Sequence, residues 1–195
     1  GEFIARMDSD DISLPYRFEK QLAFMKKNKE VGVCGTWIKI FGDGIKNKIG
    51  RTSIDDETLK TTLLFSVPFP HPSVMIRSEV LKGSFIYNHE YDSIEDYKLW
   101  LDMSKTIKFS TVPEILLNYR HLNTSKSKLA EKKFNLRMKS SIKIFSELTS
   151  ALGMNNSEEE NRIHFVIGFN ERIFSNQLDA YEVSSYLKKI LDSNK

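Results

Sequence analysis

A cluster of three carboxylates near the start of the chain has the composition of a metal-binding site. Asp8, Asp10 and Asp11 lie within four positions, directly after an apolar stretch that ends at Met7. Clustered carboxylates repel one another unless a cation or a hydrogen-bond network offsets the repulsion. Because Asp8 and Asp10 are two residues apart, both can reach one Mg²⁺ or Mn²⁺ ion, which would keep coordination positions for phosphate oxygens.

The acidic run has a second interpretation, in which it only caps a helix. Pro15 favours a helix start, and Asp11 or Ser13 would then provide the N-cap. The position directly after a predicted strand favours a ligand site instead, because ligands of α/β sheets bind beyond the carboxyl ends of the strands. Both interpretations stay open on the acidic run alone.

Two further carboxylates, Glu95 and Asp96, open a predicted helix. Negative charge at this position is favourable by itself, since it faces the positive end of the helix dipole. The functional alternative is that one of the two faces a cleft and removes the proton of a hydroxyl group, as a general base must.

An arginine and a histidine follow a predicted strand near residue 120. The planar guanidinium of Arg120 can bind a phosphate, and His121 can ligate a metal or bind a phosphate oxygen. A surface hydrogen-bonding pair is the alternative interpretation of these two residues. Earlier in the chain, His71 lies between two prolines, which indicates a rigid turn.

Strand-like and helix-like segments alternate along the first 125 residues, which predicts an α/β fold. Pro15 opens a helix in which Phe18, Leu22 and Met25 are spaced to face a core. The predicted strands cover residues 2–7, 31–41, 73–77, 107–112 and 115–119, the last two separated by a proline, and the predicted helices cover residues 15–29, 55–64 and 95–105.

The remainder of the chain is predicted to form a helical C-terminal extension. Helical periodicity covers residues 127–152, 158–176 and 178–192. We therefore divide the chain into a domain over residues 1–125 and an extension over residues 126–195. The apolar stripe of the extension indicates that it packs on another surface. A dimer interface, a lid over an acceptor and a contact with a membrane surface all stay open as its role.

Composition excludes several classes of protein. The chain has 195 residues, 40% of them hydrophobic, which suits one globular domain with a core. Cys34 has no partner for an internal disulfide and no Cys/His cluster beside it, so we expect a reducing, cytoplasmic location. The net charge of +3 arises after residue 125, where 12 Lys and Arg face 9 Asp and Glu. An excess this small argues against nucleic-acid binding but is compatible with an anionic membrane surface.

Four ordered segments together resemble one enzyme family. They read GEFIARMDSDDISLPYRFEKQ over residues 1–21, HPSVMIR over 71–77, EDYKLWL over 95–101 and LNYRH over 117–121, followed by Ser125. This series resembles the inverting glycosyltransferases of family 2, which have the GT-A fold. In the family pattern the last histidine lies two positions after the arginine, whereas here His121 follows Arg120 directly.

The resemblance implies a fold and a set of residue roles. The fold would be a partial GT-A (Rossmann-like) sheet with flanking helices, followed by the helical extension. The nucleotide-diphosphate sugar would be bound by Asp8, Asp10, Asp11 and Arg120, and a Mn²⁺ or Mg²⁺ ion by Asp10 and His121. Asp96 would be the general base, and Glu95 would orient the acceptor or raise the pKa of the base.

The same resemblance implies partners and an incomplete donor site. A sugar would pass to a hydroxyl of a saccharide or lipid-linked saccharide, in the synthesis of a surface polysaccharide, in the cytoplasm or at the cytoplasmic face of the membrane. In the family a nucleotide-binding half precedes the acidic motif, so we expect this chain alone to be inactive or nearly so. Uncovered sheet edges and an uncovered apolar face should also favour self-association into a homo-oligomer.

Two other classes of function compete with this one. The first is a non-catalytic binding or interaction module, in which the acidic run caps a helix and the extension docks a partner or a membrane. The second is a phosphotransferase or phosphatase built on the acidic motif. It is disfavoured because the residues after the motif, Ile12 to Pro15, lead into a helix.

Overall fold

A computed structural model describes residues 1–46, 48–82, 87–91, 93–122, 128–169 and 179–194, and over residues 128–134 it describes the backbone. The strands are β1 (Phe3–Ala5), β2 (Ile12–Ser13), β3 (Val31–Gly42), β4 (Lys48–Gly50), β5 (Met75–Arg77) and β6 (Lys108–His121). The helices are α1 (Arg17–Lys27), α2 (Asp56–Thr62), α3 (Ser78–Leu81), α4 (Glu95–Ser104), α5 (Lys128–Ala151), α6 (Glu158–Phe169) and α7 (Ala180–Ser193).

One mixed sheet contains all six of these strands. Its order is β1-β5-β3-β6-β2, with β4 paired to β3 as well. The long central strands β3 and β6 run parallel, and the other pairs are antiparallel. Because β6 occupies one edge of β3, the short strands β5 and β4 share its other edge. The α/β prediction is therefore confirmed.

The last strand of the sheet is continuous where two strands were predicted. Val112 pairs with Thr36 and Ile115 with Trp37, so the two residues between them form an irregularity in an unbroken β6. Proline cannot donate to a sheet, and a bulge is one of the few positions that tolerates it. The prediction of two strands was wrong for this reason. The single strand β6 leads directly to Arg120.

The buried face of α1 also differs from the predicted apolar stripe. Met25 is fully buried, but Phe18 is 51% exposed. The other fully buried side chains of the helix are Arg17 and Gln21, which precede Met25 at intervals of four residues. The helix therefore presents two polar side chains to the interior, which hydrophobic periodicity cannot predict.

Hydrogen bonds to the backbone explain why these polar side chains are buried. Arg17 Nη2 donates to the carbonyl oxygen of Arg6 at 2.8 Å, and Arg17 Nε donates to Gln21 Oε1 at 3.0 Å. Gln21 Nε2 donates to the carbonyl oxygens of Cys34 at 2.9 Å and Ser73 at 3.0 Å. The helix thus fixes the backbone after β1 and the backbone before β5 in one network.

The main hydrophobic core lies between the sheet and helices from both parts of the chain. Trp100 of α4 is fully buried, with Phe69 and Phe109 edge-on to its ring. Helices α5 and α6 contribute buried side chains to the same cluster, namely Ile144, Phe145, Phe165 and Val166. The helical extension therefore packs against the sheet and its flanking helices.

A buried polar network joins the extension to the end of α2. The ring of His164 contacts the Leu64 carbonyl oxygen through Nε2 and the Tyr186 hydroxyl through Nδ1, each at 2.6 Å. Since a carbonyl only accepts, Nε2 carries the proton and Nδ1 accepts from Tyr186. Asn156 Nδ2 donates to the Tyr186 oxygen at 2.9 Å. Burial lowers the pKa of His164 to about 4.

The extension agrees with the predicted helices wherever the structure describes it. Residues 128–151, 158–169 and 180–193 are helical, close to the predicted ranges. The predicted end of the second helix, at 176, and the predicted division of the chain at 125 lie outside the described residues. Among the described helices, none combines the length and the hydropathy that crossing a bilayer requires.

Candidate active site

The acidic run forms a loop between β1 and β2. The Arg6 N–H donates to the Val74 carbonyl at 3.1 Å, and the Asp11 N–H donates to the Asp8 carbonyl at 3.3 Å, which closes a turn. Arg6 also forms an ion pair with the Asp8 carboxylate at 2.5 Å. Asp10 lies at the tip of this turn with its side chain exposed. The loop therefore occupies one carboxylate in an ion pair and presents another to solvent.

The loop does not cap the following helix. Strand β2 intervenes, α1 begins at Arg17, and its N-cap residue is Tyr16, which makes no side-chain capping hydrogen bond. The interpretation of the acidic run as a helix cap is therefore wrong.

The structure brings Arg120 to the acidic loop. Because Ile12 pairs with Asn118, the end of β6 lies beside the loop. The Arg120 N–H donates to Asp11 Oδ1, and Arg120 Nε donates to the Asp10 carbonyl oxygen, both at 2.8 Å. The guanidinium group lies 4.6 Å from the ring centre of Phe41. Arg120 is thus held next to Asp10 by its backbone, its side chain and an aromatic ring.

Asp11 is an interior residue of this loop. Its side chain is buried, and its Oδ2 has no hydrogen-bond partner among the described residues. Burial raises the pKa of the Asp11 carboxyl, and the nearby charge of Asp10 raises it further. Asp11 therefore joins the loop to β6, while Asp10 faces outward.

His121 lies one residue beyond Arg120, at the exposed end of β6. It pairs with Gly42, and its carbonyl oxygen accepts the Asp43 N–H at 3.1 Å. Within the described ranges, no three His, Cys, Asp or Glu side chains converge to hold a metal ion. The structure therefore provides no protein-only metal cage around His121 and Asp10.

Asp96 lies at the start of α4, in a largely buried position. Its Oδ1 accepts the Tyr97 N–H at 2.8 Å, and its Oδ2 lies 3.9 Å from His71 Nδ1. Burial raises the pKa of Asp96 to about 6, and the charge of Glu95 contributes in the same direction. Among the described residues, Asp96 Oδ1 therefore has a hydrogen-bond partner and Oδ2 has none, and the raised pKa makes the carboxylate a stronger base.

His71 and Tyr87 complete the surroundings of Asp96. His71 Nε2 and the Tyr87 hydroxyl are 2.8 Å apart, and the His71 ring lies edge-on to Trp100 at 5.8 Å. Burial lowers the pKa of His71 to about 4, helped by the charge of Arg6. Sequence reasoning treated His71 as a turn residue and did not single out Tyr87. The HPSVM segment was the available signal, but it does not show which side chain meets His71.

Electrostatic interactions connect the acidic loop to Asp96. Burial raises the pKa of Tyr119, and the charges of four carboxylates raise it further: Asp11, Asp8, Asp10 and Asp96. Burial likewise raises the pKa of Tyr87, with contributions from carboxylates of both groups: Asp96, Glu95 and Asp8. Both carboxylate groups therefore act on the same region, between the loop and the start of α4.

The chemistry of the loop fits a hard divalent ion that shares its coordination with a phosphate. The exposed Asp10 carboxylate offers the oxygen ligand that Mg²⁺ and Mn²⁺ prefer, and Arg120 lies beside it for an anionic group. Such ions retain several waters and are often held by one or two carboxylates together with substrate phosphates. The single outward carboxylate of Asp10 is therefore compatible with an ion of this kind, whose other ligands would be waters and phosphate oxygens.

The mixed sheet carries an acidic loop after β1, and a largely buried carboxylate opens α4. The fold is similar to a crystal structure of S. aureus TarS 1-349, with a TM-score of 0.51 and 16% identity over 99% of this chain and 55% of that one. A structure of the same TarS fragment in complex with UDP gives a TM-score of 0.52 at 14% identity, over 99% and 56%. These similarities confirm the predicted fold.

Sequence comparisons identify the family. The model of glycosyl transferase family 2 matches residues 1–85. The O-antigen biosynthesis glycosyltransferase WbnJ of Escherichia coli is 35% identical over 130 residues, which cover 65% of this chain and 50% of that protein. The amylovoran biosynthesis glycosyltransferase AmsE of Erwinia amylovora is 33% identical over 118 residues, or 60% and 44%. Residues 1–85 therefore match glycosyl transferase family 2, which confirms the predicted resemblance.

The chain spans about half the length of the curated relatives that it matches. A third relative, the UDP-Gal:alpha-D-GlcNAc-diphosphoundecaprenol beta-1,3-galactosyltransferase of Escherichia coli, is 32% identical over 61% of this chain and 44% of that protein.

Proposed function

We propose that this chain is the acceptor-side part of a metal-dependent inverting glycosyltransferase. It would transfer a sugar from a nucleotide-diphosphate donor to a hydroxyl of a saccharide or lipid-linked saccharide. The observation that carries the proposal is that two carboxylates in different environments, Asp10 and Asp96, both act electrostatically on Tyr119. Asp10 is exposed beside Arg120, whereas Asp96 is buried with its pKa raised to about 6.

The donor diphosphate lies against the acidic loop in this proposal. Asp10 would hold a divalent ion, which would supply positive charge against the negative charge that develops on the leaving diphosphate. The Arg120 guanidinium, fixed through Nε, directs its remaining N–H groups to the phosphate oxygens. Asp11 anchors the loop to β6 and so positions both residues, a role that replaces direct donor contact. A contact of His121 with the ion or the diphosphate stays a prediction.

The acceptor hydroxyl lies against Asp96. Its oxygen attacks C1 of the sugar while Asp96 Oδ2 takes the hydroxyl proton. The new bond joins the acceptor oxygen to C1, and the bond from C1 to the diphosphate oxygen breaks with its electron pair on that oxygen. Attack from the face opposite the leaving group inverts the anomeric centre. Glu95 supports this step because its charge contributes to the raised pKa of Asp96.

The comparisons support the classes of donor and acceptor. One similar structure contains UDP, and the names of the relatives refer to O-antigen, amylovoran and a diphosphoundecaprenol-linked sugar. We therefore propose a UDP-sugar as the first donor to test and a surface polysaccharide as the product class. Such a donor and a lipid-linked acceptor would meet at the cytoplasmic face of the membrane.

The test is UDP release from UDP-galactose and UDP-glucose with Mn²⁺. Chelation of the metal and the substitution Asp10→Ala should each lower the rate about 100-fold, because both remove charge stabilisation of the leaving group. Ser9→Ala, in the same exposed turn, is the matched control and should keep the wild-type rate. Because the rate of UDP release by this chain alone is expected to be low, each variant is compared with the wild type as a ratio of rates. A rate that neither chelation nor Asp10→Ala changes would contradict the proposal.

A further inference from the structure

We propose that His71 positions the acceptor hydroxyl together with Asp96, and that Tyr87 fixes the tautomer of His71 for this purpose. The inference rests on the proposed function and assigns a role to two residues outside the acidic loop. It follows from three observations: the gap between His71 and Asp96, the hydrogen bond from His71 to Tyr87, and the packing that holds the imidazole ring in place.

The first observation is the distance between the two groups. His71 Nδ1 and Asp96 Oδ2 are 3.9 Å apart, which is too far for a direct hydrogen bond. An oxygen at about 2.8 Å from each atom fits between them as a bridging atom. A hydroxyl placed there donates its proton to Asp96 Oδ2 and accepts from His71 Nδ1. The gap therefore has the width that the reacting hydroxyl of an acceptor requires.

The second observation determines which nitrogen of His71 carries the proton. A bare Nδ1 would direct its lone pair at the Asp96 carboxylate, whereas a protonated Nδ1 is attracted to that charge. With the proton on Nδ1, Nε2 must accept a hydrogen bond, and the Tyr87 hydroxyl lies 2.8 Å away as the donor. As a donor to Nε2, Tyr87 thus supports the tautomer that the Asp96 charge favours, in which His71 donates toward the gap.

The third observation is the rigidity of the ring. His71 lies between two prolines at the start of a short 3-10 helix. The Ser73 hydroxyl donates a hydrogen bond to the Pro70 carbonyl oxygen at 2.7 Å, which closes the turn. The imidazole lies edge-on to the buried ring of Trp100 at 5.8 Å. The side chains of His71 and Asp96 are 12% and 22% exposed, so a small group can reach the gap between them. Such fixed geometry is what a positioning residue needs.

The orientation is tested by imidazole ¹⁵N NMR of the whole chain, which requires no activity. We expect the proton of His71 on Nδ1. His164 provides an internal reference of the opposite tautomer, because its Nε2 donates to the Leu64 carbonyl. Tyr87→Phe should remove the Nδ1 preference of His71 and leave His164 unchanged. A wild-type His71 protonated on Nε2, or an unchanged tautomer in Tyr87→Phe, would overturn the inference.

The role in positioning is tested by two substitutions of similar size. Asn places its amide N–H near the position of the imidazole Nδ1, whereas Gln places its amide near Nε2. In UDP release from UDP-galactose, with water as the smallest hydroxyl acceptor, His71→Gln should lower kcat about tenfold, the value of one hydrogen bond. His71→Asn should recover part of that loss, and the KM for the donor should stay unchanged in both.

The two proposals fail in distinguishable ways. Equal losses in His71→Gln and His71→Asn, or a changed KM for UDP-galactose, would overturn the positioning role of His71 while leaving the proposed function intact. No UDP release from the wild type would agree with the expected near-inactivity of this chain alone, and the tautomer measurement would then decide the inference about His71.

Discussion

Two largely enclosed histidines in this protein share a lowered pKa but differ in their hydrogen bonding. Burial lowers the pKa of both His71 and His164 to about 4. Both ring nitrogens of His164 are engaged, one by the Leu64 carbonyl and the other by Tyr186. His71 bonds Tyr87 through one nitrogen, and its other nitrogen faces the gap to Asp96.

The difference separates a structural site from a site that can bind a ligand. Burial and a shifted pKa are shared by both histidines, so neither property identifies function by itself. The open hydrogen-bonding position next to an open carboxylate oxygen is what distinguishes His71. Both ring nitrogens of His164 have hydrogen-bond partners, whereas His71 Nδ1 has none among the described residues.

The largest expected effect is that of a substitution at Asp96, next to His71. Asp96→Asn removes the proton acceptor and should lower UDP release from UDP-galactose about 10²- to 10⁴-fold. Mn²⁺-dependent UDP binding should stay unchanged, because Asp96 lies on the acceptor side. Asp102→Asn, on the same helix but 38% exposed, is the control and should stay within about twofold of wild type. Similar rates for the two variants would show that Asp96 is not the base.

A pair of tyrosine substitutions distinguishes the two histidine sites by stability. Tyr186→Phe removes the donor to His164 Nδ1 and the acceptor of Asn156, and should lower the free energy of unfolding by about 1–3 kcal/mol. Tyr87→Phe, at a residue 44% exposed, should change it by less than about 0.5 kcal/mol. Urea denaturation of both variants measures the difference, and an equal loss of stability would remove the distinction.

The pH dependence of stability provides a second test of the His164 site. His164 has a pKa of about 4 in the folded protein and an ordinary value of 6.5. Its contribution is therefore complete above pH 6.5 and is lost progressively as the pH falls toward 4, by about 1.4 kcal/mol per pH unit within that range. His164→Phe should flatten the fall of unfolding free energy over this range. The same slope in both proteins would contradict a neutral buried His164.

The smallest predicted effect concerns the neighbour of the base. Since the charge of Glu95 contributes to the raised pKa of Asp96, Glu95→Gln should lower that pKa toward its ordinary value. The rate of UDP release should rise with pH through about 6 in the wild type, as Asp96 loses its proton, and at a lower pH in the variant. An identical pH profile would show that Glu95 does not tune the base.

Local sequence signals predicted much of this structure. The helix at Glu95–Ser104 begins and ends close to the predicted positions, and the described parts of the three extension helices agree with the predicted ranges, because periodicity and breaks are local properties. The helix predicted over residues 55–64 is also present as α2, and Asp55 caps it through the N–H of Thr58. The family motifs also singled out Asp10, Asp11 and Arg120, which the structure brings into contact.

Contacts between distant segments could not be predicted from the sequence. The bond between Arg120 and Asp11 joins residues 109 positions apart, and the pair His71 and Tyr87 is separated by 16. The buried side of α1 was mispredicted because Arg17 satisfies a carbonyl of another segment. Such pairings depend on the strand order, which one sequence without its fold does not specify.

Calorimetric titration with UDP tests the central claim most directly, namely that the Asp10 loop is the metal-dependent site of the donor diphosphate. We predict that UDP binds the 195-residue chain only when Mn²⁺ is present. Asp10→Ala should abolish this binding, and Asp96→Asn should preserve it. UDP binding that needs no metal or persists in Asp10→Ala, or an absence of UDP binding to the wild type with Mn²⁺, would contradict the claim.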